Sequence, residues 1–247
     1  MSNEYLHLSC DTNEIWVARF KMRIDESPSA TLRKRAADWE NSPLYEMCLA
    51  INTKLAMLDQ VVARIDSQLR RLGEQINDEQ QLEQCLLVGT ESAYQIRDKG
   101  VFFQTLVEVD SFLFESRSTY EIVGKFLRGF FQDILRRSLT QNDLQTALAA
   151  GDIDTGWIEA LRDSRILFFH ETAPWIAARV VSKVPLKFEL LVLKRNVRDL
   201  TNPDGYIEFK RLREIYLGFR SAMPALHRWV EEQIEKFERA EQEGKSQ

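Results

Sequence analysis

Arg165 and His170 combine two side-chain types that can do chemistry on a phosphodiester, within the segment from Leu161 to Pro174. A guanidinium donates paired hydrogen bonds to phosphate oxygens, and an imidazole can accept or release a proton near neutral pH. RNA can be cut without a metal ion when a base takes the proton of an attacking 2′-OH and a cation stabilises the charge at phosphorus. We therefore consider His170 a candidate general acid and base, and Arg165 a candidate phosphate stabiliser.

Further polar residues near this pair are candidate contacts to a substrate. These residues are Arg162, Ser164, Arg179 and Lys183. From Arg162 to Arg198 the chain has eight lysines and arginines and three acidic residues, whereas its overall net charge is −5. A nucleic-acid site would therefore be a local patch rather than the broad basic surface of a duplex-DNA binder. A solvated cationic surface is the alternative explanation.

The spacing of the pair constrains how it could act. Residues five apart on a helix are separated by about 140° around the axis and ~7.5 Å along it. One helix therefore does not aim Arg165 and His170 at the same atom. A second helix related by a two-fold axis, or a distorted helix end before Pro174, would be needed to bring both groups together.

An arginine and a histidine separated by four residues, late in a bundle helix that stops before a proline, resemble the motif of the HEPN superfamily. These are small helical-bundle proteins, many of which dimerise. The resemblance covers roughly Leu44 to Lys183 and implies that the chain binds RNA or another nucleotide and acts as a metal-independent endoribonuclease. It also implies that the catalytic site is completed by a second copy of the chain.

One departure from that motif favours a different function. Active members usually have a polar residue after the arginine, whereas this chain has Ile166. Other members of the superfamily have lost catalysis. The alternative is therefore a non-catalytic homodimeric interaction protein in which the Arg165 and His170 site is degenerate.

Metal and cofactor chemistry find little support in the sequence. The cysteines and histidines are widely spaced and form no CxxC pair or ligand cluster. They are Cys10, Cys48 and Cys85, and His7, His170 and His227. The chain also lacks a glycine-rich phosphate loop. We expect reduced cysteines that serve packing, no bound metal and no cofactor.

Two long amphipathic helices must position these residues. Apolar side chains recur at steps of three and four from Leu44 to Leu72, after a helix start at Ser42 and Pro43, and again from Phe102 to Ile134. The second apolar band is wider than one groove within the chain usually covers. It therefore predicts a homodimer.

Shorter elements complete the predicted fold. Helices are expected from Glu79 to Lys99, from Thr140 to Gly151 and from Trp157 to His170, whereas the stretch from Trp175 to Lys183 is ambiguous. The last helix should run from Tyr206 to Arg239, with a possible kink at Pro224.

Two segments have the pattern of β-strands. Apolar and basic residues alternate toward the end of Ile15–Ile24, and Lys187–Arg195 is rich in apolar residues after Pro185. We expect these two strands to pair beside the bundle.

The sequence thus predicts a mainly α protein, an antiparallel helical bundle with a small peripheral antiparallel β element. It would be a single domain, 1–247: an extended or β segment at 1–40, a helical core at 42–183, and a strand with a long helix at 185–240.

Membrane association is not indicated by the apolar pattern. The longest apolar runs are well below the ~20 residues that cross a bilayer. The first residues include Glu4, Asp11 and Glu14 and lack the apolar centre of a secretion signal. We expect a cytoplasmic protein.

Overall fold

The computed structural model of the protein describes residues 16–76, 96–170, 174–183, 186–194, 200, 202 and 205–245. The predicted helix from Glu79 to Lys99 falls almost entirely outside these residues, and so do Cys10 and Cys85. The described fold is mainly α-helical and includes one small antiparallel sheet. The predicted fold class is confirmed.

Seven α-helices lie within the described residues. They are α1 (Ala18–Asp25), α2 (Ala30–Arg35), α3 (Pro43–Gln75), α4 (Lys99–Phe130), α5 (Gln141–Ala150), α6 (Gly156–His170) and α7 (Phe209–Lys245). A short 3₁₀ helix at Trp39–Asn41 precedes α3, and a π-helical turn at Phe131–Leu135 continues α4. The four predicted helices that correspond to α3, α4, α5 and α6 are therefore confirmed.

Helices α3 and α4 form a long antiparallel pair at the centre of the fold. Their inner faces bury apolar side chains, because each sequence repeats them at helical spacing. Two ion pairs also link them: Lys54 Nζ lies 2.7 Å from Glu115 Oε2, and Arg64 Nε lies 2.8 Å from Glu108 Oε2. The residue numbers of the paired groups run in opposite directions, as an antiparallel arrangement requires.

The predicted N-terminal strand is wrong, since residues 18–25 form helix α1. Val17, Phe20 and Ile24 are fully buried at helical steps, whereas Met22 is 59% exposed. An alternating strand would have placed Met22 on the same side as Phe20 and Ile24. The segment 1–40, predicted to be extended, therefore contains α1, α2 and most of the 3₁₀ turn in its described part. Between residues 16–40 and the strand at 186–194, both described, the sheet has no pairing.

Helix α1 is attached to α7 by polar contacts around its buried face. The Arg23 guanidinium donates two hydrogen bonds to the Glu238 carboxylate, at 2.9 and 2.7 Å, and the Ser27 hydroxyl donates a third. The indole N–H of Trp16 donates to the carbonyl oxygen of Met223 at 2.8 Å. Burial alone would raise the pKa of Glu238, but the hydrogen bonds from Arg23 and Ser27 keep it below its ordinary value.

The sheet consists of β1 (Pro174–Lys183), β2 (Leu186–Lys194) and β3 (Tyr206–Glu208), in the order β1-β2-β3 and antiparallel throughout. Strand β2 confirms the strand predicted at 187–195. The ambiguous stretch from Trp175 to Lys183 belongs to β1. Strand β1, and not the segment Ile15–Ile24, is therefore the hairpin partner of β2.

Strand β1 has an irregular register near its end. Val180 pairs with Phe188, but Ser182 pairs with Lys187, so Val181 is an extra residue between them. This arrangement is a β-bulge, and the Val181 side chain points away from the core and is exposed.

Helix α7 begins three residues later than predicted, because Tyr206–Glu208 pairs with β2 as a strand. The helix runs through Pro224 to Lys245. Pro224 has no N–H to donate to the carbonyl four residues earlier, so the helix lacks one hydrogen bond there.

In the part of the chain that the structure describes, no helix combines the length and apolar content that a bilayer crossing needs.

An aromatic cluster joins α1, α4 and α7. The Phe20 ring stacks on the His227 ring with centroids 4.4 Å apart, and it also contacts Phe126 at 6.0 Å and Phe130 at 5.7 Å. His227 is buried, and burial is the main reason that its pKa is lowered, although Glu231 opposes the shift. His227 therefore serves packing in its neutral form.

We expect stability to depend on pH through His227. Because its folded pKa lies below the ordinary 6.5, the unfolded chain takes up the proton first as the pH falls. Stability that is present above pH ~6.5 should therefore decline below it. Thermal melting of the wild type should show this decline between pH 7.5 and 5.5, and His227→Phe should weaken it. Equal declines in both proteins would contradict the assignment.

Candidate functional site

Helix α6 holds the residues of the predicted site. Its start is capped by the Asp154 carboxylate, which accepts a hydrogen bond from the backbone N–H of Gly156 at 2.9 Å. Trp157, Leu161 and Leu167, four and six residues apart, are buried and attach the helix to the core. The inner face of α6 is thus fixed by packing, and the opposite face is left for polar residues.

The predicted site residues are distributed over both faces of α6. Arg162 is exposed and its Nε lies 3.3 Å from Asp163 Oδ1, while Arg165 is half-buried. Ser164 is on the inner face, where its side chain is 1% exposed and its hydroxyl has no hydrogen-bond partner among the described residues. His170 is the last residue of the helix, and its side chain lies outside what the structure describes.

Arg179, a predicted substrate contact, lies in β1 and belongs to an ion-pair network of the sheet. Its guanidinium contacts the Glu189 carboxylate on β2 and lies 2.7 Å from Glu208 Oε1 on β3. These two carboxylates raise the pKa of Arg179. The charge that would face a phosphate is already neutralised. The side chain of Lys183, at the end of β1, lies outside the described residues.

We expect Arg179 to act in stability rather than in binding. Arg179→Gln should lower stability by about 1 kcal/mol, since each partly exposed ion pair contributes little. For a chain of this size that corresponds to about 2–4 °C in melting temperature. Arg162→Gln is the matched control, and it should melt like the wild type. An unchanged melting temperature together with weakened RNA binding would instead make Arg179 a ligand contact.

The structure therefore brings together only part of the predicted site. Arg162 and Arg165 share the outer half of α6, whereas the Ser164 hydroxyl is buried and Arg179 is engaged in the sheet.

Among the described residues no three histidine, cysteine or acidic side chains form a group that could hold a metal ion. Cys48 is buried, and burial raises the pKa of its thiol to about 12, so it is a packing residue.

A cavity that sequence reasoning missed lies beside α6. It has a volume of about 340 Å³ and is bounded by α4, α5, α6 and α7. Trp157 forms part of its wall, together with buried apolar residues from the other three helices. No local pattern reveals such a cavity, because its residues are scattered over more than one hundred positions of the sequence.

Comparison of the chain with models of known protein families, with curated proteins and with solved structures finds no match.

Proposed function

We propose that this chain is a homodimeric interaction protein that resembles the non-catalytic members of the HEPN superfamily. The observation that carries the proposal is an apolar stripe on the outer surface of α4. Phe103, Val107 and Phe114 are 58%, 54% and 56% exposed. Isolated exposed apolar residues are common, but a row of large ones on one helix is typical of an interface.

The three side chains of the stripe lie on one face of α4. At about 100° per residue, Phe103, Val107 and Phe114 fall within about 40° of one another around the helix and extend over ~16 Å. The apolar surface continues beyond the helix, because Phe102 contacts both Phe103 and the exposed Trp175 of β1, with ring centroids 5.4 and 5.2 Å apart. The stripe is therefore a connected surface.

A second copy of the same chain is the partner that best fits this stripe. On the same face, the exposed residues Lys99 and Glu121 lie on opposite sides of the apolar group. Two copies packed antiparallel about a two-fold axis would bring Lys99 of each copy toward Glu121 of the other. A two-fold interface must match itself in this way.

The surroundings of Arg165 favour this function over catalysis. Ile166, at the position that is usually polar in active relatives, is 47% exposed, so an apolar side chain occupies the surface beside the arginine. The Ser164 hydroxyl is buried and Arg179 is bound to two carboxylates. Two of the groups expected to hold a substrate, Ser164 and Arg179, are thus unsuited to it.

We expect the wild type to sediment as a dimer at micromolar concentration. Phe103→Glu combined with Phe114→Glu should give a folded monomer, because four carboxylates would be buried in the interface without partners. Sedimentation velocity measures the mass, and circular dichroism checks folding. Met22→Glu on α1 is the matched control, since Met22 is equally exposed, at 59%, and it should leave the dimer intact. A monomeric wild type would refute the proposal.

Metal-independent RNA cleavage is the second candidate, and one observation favours it. Arg162 is exposed and Arg165 is half-buried on the helix that ends at His170. In a dimer, α6 of the second copy could supply the group that one helix cannot aim at the same phosphate. The α4 interface would then also build the catalytic site.

Incubation with total RNA in EDTA separates the two functions. For an interaction protein we expect RNA to stay intact with the wild type and with His170→Ala. Cleavage by the wild type that His170→Ala reduces by about 10²–10⁴-fold would establish the nuclease instead, since this is the usual contribution of a general acid and base. Arg165→Lys should then be impaired as well, because an ammonium does not reproduce paired guanidinium contacts.

A further inference from the structure

The cavity between α4, α5, α6 and α7 is large for an unused space. It opens to solvent on one side and has a volume of about 340 Å³. Its size is within the range of small-molecule sites, which is roughly 300–1,000 Å³. Whether it suits a ligand, and of which chemistry, depends on its lining.

The floor of the cavity, its most buried part, is apolar. Buried side chains from three helices form its floor, and Trp157 and Ile158 of α6 form one side. The floor residues are Val123 and Leu127 of α4, Leu144 and Leu148 of α5, and Met223 and Leu226 of α7. Such a surface favours the hydrocarbon part of a ligand, because contact with it removes apolar area from water.

The mouth of the cavity is cationic. Arg117, Lys125 and Arg128 line it, and Glu121 is the one acidic residue of the lining within the part of the chain that the structure describes. Arg117 Nε lies 2.6 Å from Glu121 Oε1, so these two charges balance each other. Lys125 and Arg128 are exposed and have no carboxylate partner among the described residues. Two positive charges therefore remain at the mouth, in a chain whose net charge is −5.

Gly124 helps to place one of these charges at the cavity. A Cβ atom built on Gly124, which itself lines the cavity, would lie 3.5 Å from Arg128 Nη1 and 3.9 Å from Nη2. The guanidinium thus folds back along α4 and lies close to the glycine, while Arg128 stays exposed. Its paired N–H groups are suited to a carboxylate or a phosphate.

From the apolar floor and the cationic mouth we infer that this cavity binds a small amphipathic anion, with a hydrocarbon body of about ten carbon atoms and one anionic head group. The hydrocarbon occupies the floor between α5 and α7, and the head group contacts Lys125 and Arg128. The site contains neither Arg165 nor the apolar residues of the α4 stripe, although Glu121, which flanks the stripe, also lines its mouth.

Calorimetric titration with four ten-carbon probes tests the inference. Decanoate and decyl phosphate, used below their micelle concentrations, represent the two head-group sources, while 1-decanol and decyltrimethylammonium represent a neutral and a cationic head group. We expect at least one anion to bind tenfold or more tightly than both of the latter. The tighter of the two anions identifies the head group. Failure of both anions to bind at 1 mM, or equal binding of all four probes, would overturn the inference.

Variants locate the binding within the cavity. Lys125→Gln combined with Arg128→Gln should weaken the bound anion tenfold or more and leave 1-decanol unchanged, whereas Ile158→Gln should weaken every probe that binds. Arg213→Gln, at an exposed arginine of α7 outside the cavity lining, is the charge control and should match the wild type. Anion binding that survives the double variant would place the ligand elsewhere and refute the site.

Discussion

The stack of Phe20 on His227 is the contact on which the arrangement of the bundle depends. It holds α1 against α7, and through Phe126 and Phe130 it connects both to the end of α4. Helix α7 in turn contacts α5, α6 and the sheet, so the stack connects α1 to the helix that the other elements share. A neutral imidazole is favoured there, because burial between aromatic side chains removes the hydration of a charged ring, and Glu231, 3.5 Å from His227 Nδ1, offsets this loss only in part.

The helices could be predicted where the apolar repeat is long. From Pro43 to Gln75 and from Lys99 to Phe130, apolar residues follow the helical repeat over many turns. A few residues that depart from the repeat therefore do not change the prediction. Helix α1 could not be predicted, since three alternating residues outweighed a helical pattern that becomes clear only when Phe126, Phe130 and His227 are known to cover it. Strand β3 was missed for a related reason. It has three residues and merges directly into α7, and only its pairing with β2 makes it a strand.

The candidate site was less predictable than the fold. The excess of lysines and arginines from Arg162 to Arg198 predicts a basic patch. Glu208 of β3 lies beyond that range in sequence, yet it reaches across β2 to Arg179 of β1. Whether Ser164 is buried depends on which face of α6 packs against the core. Helix α6 has apolar residues on several sides, so its rotation about its own axis could not be predicted from the sequence. The cavity combines residues of four helices, so no window of sequence contains it.

The bulge at Val181 has a consequence for the behaviour of the protein at high concentration. In the described sheet β1 is an edge strand of ten residues, long enough to template the pairing of a strand from another molecule. An extra residue breaks the regular spacing of its outward N–H and C=O groups and increases the local twist. A foreign strand could match β1 on one side of the bulge only, which shortens the ladder that it can form. The irregularity that disturbs the hairpin thereby limits a regular ladder on β1 to the seven residues from Pro174 to Val180.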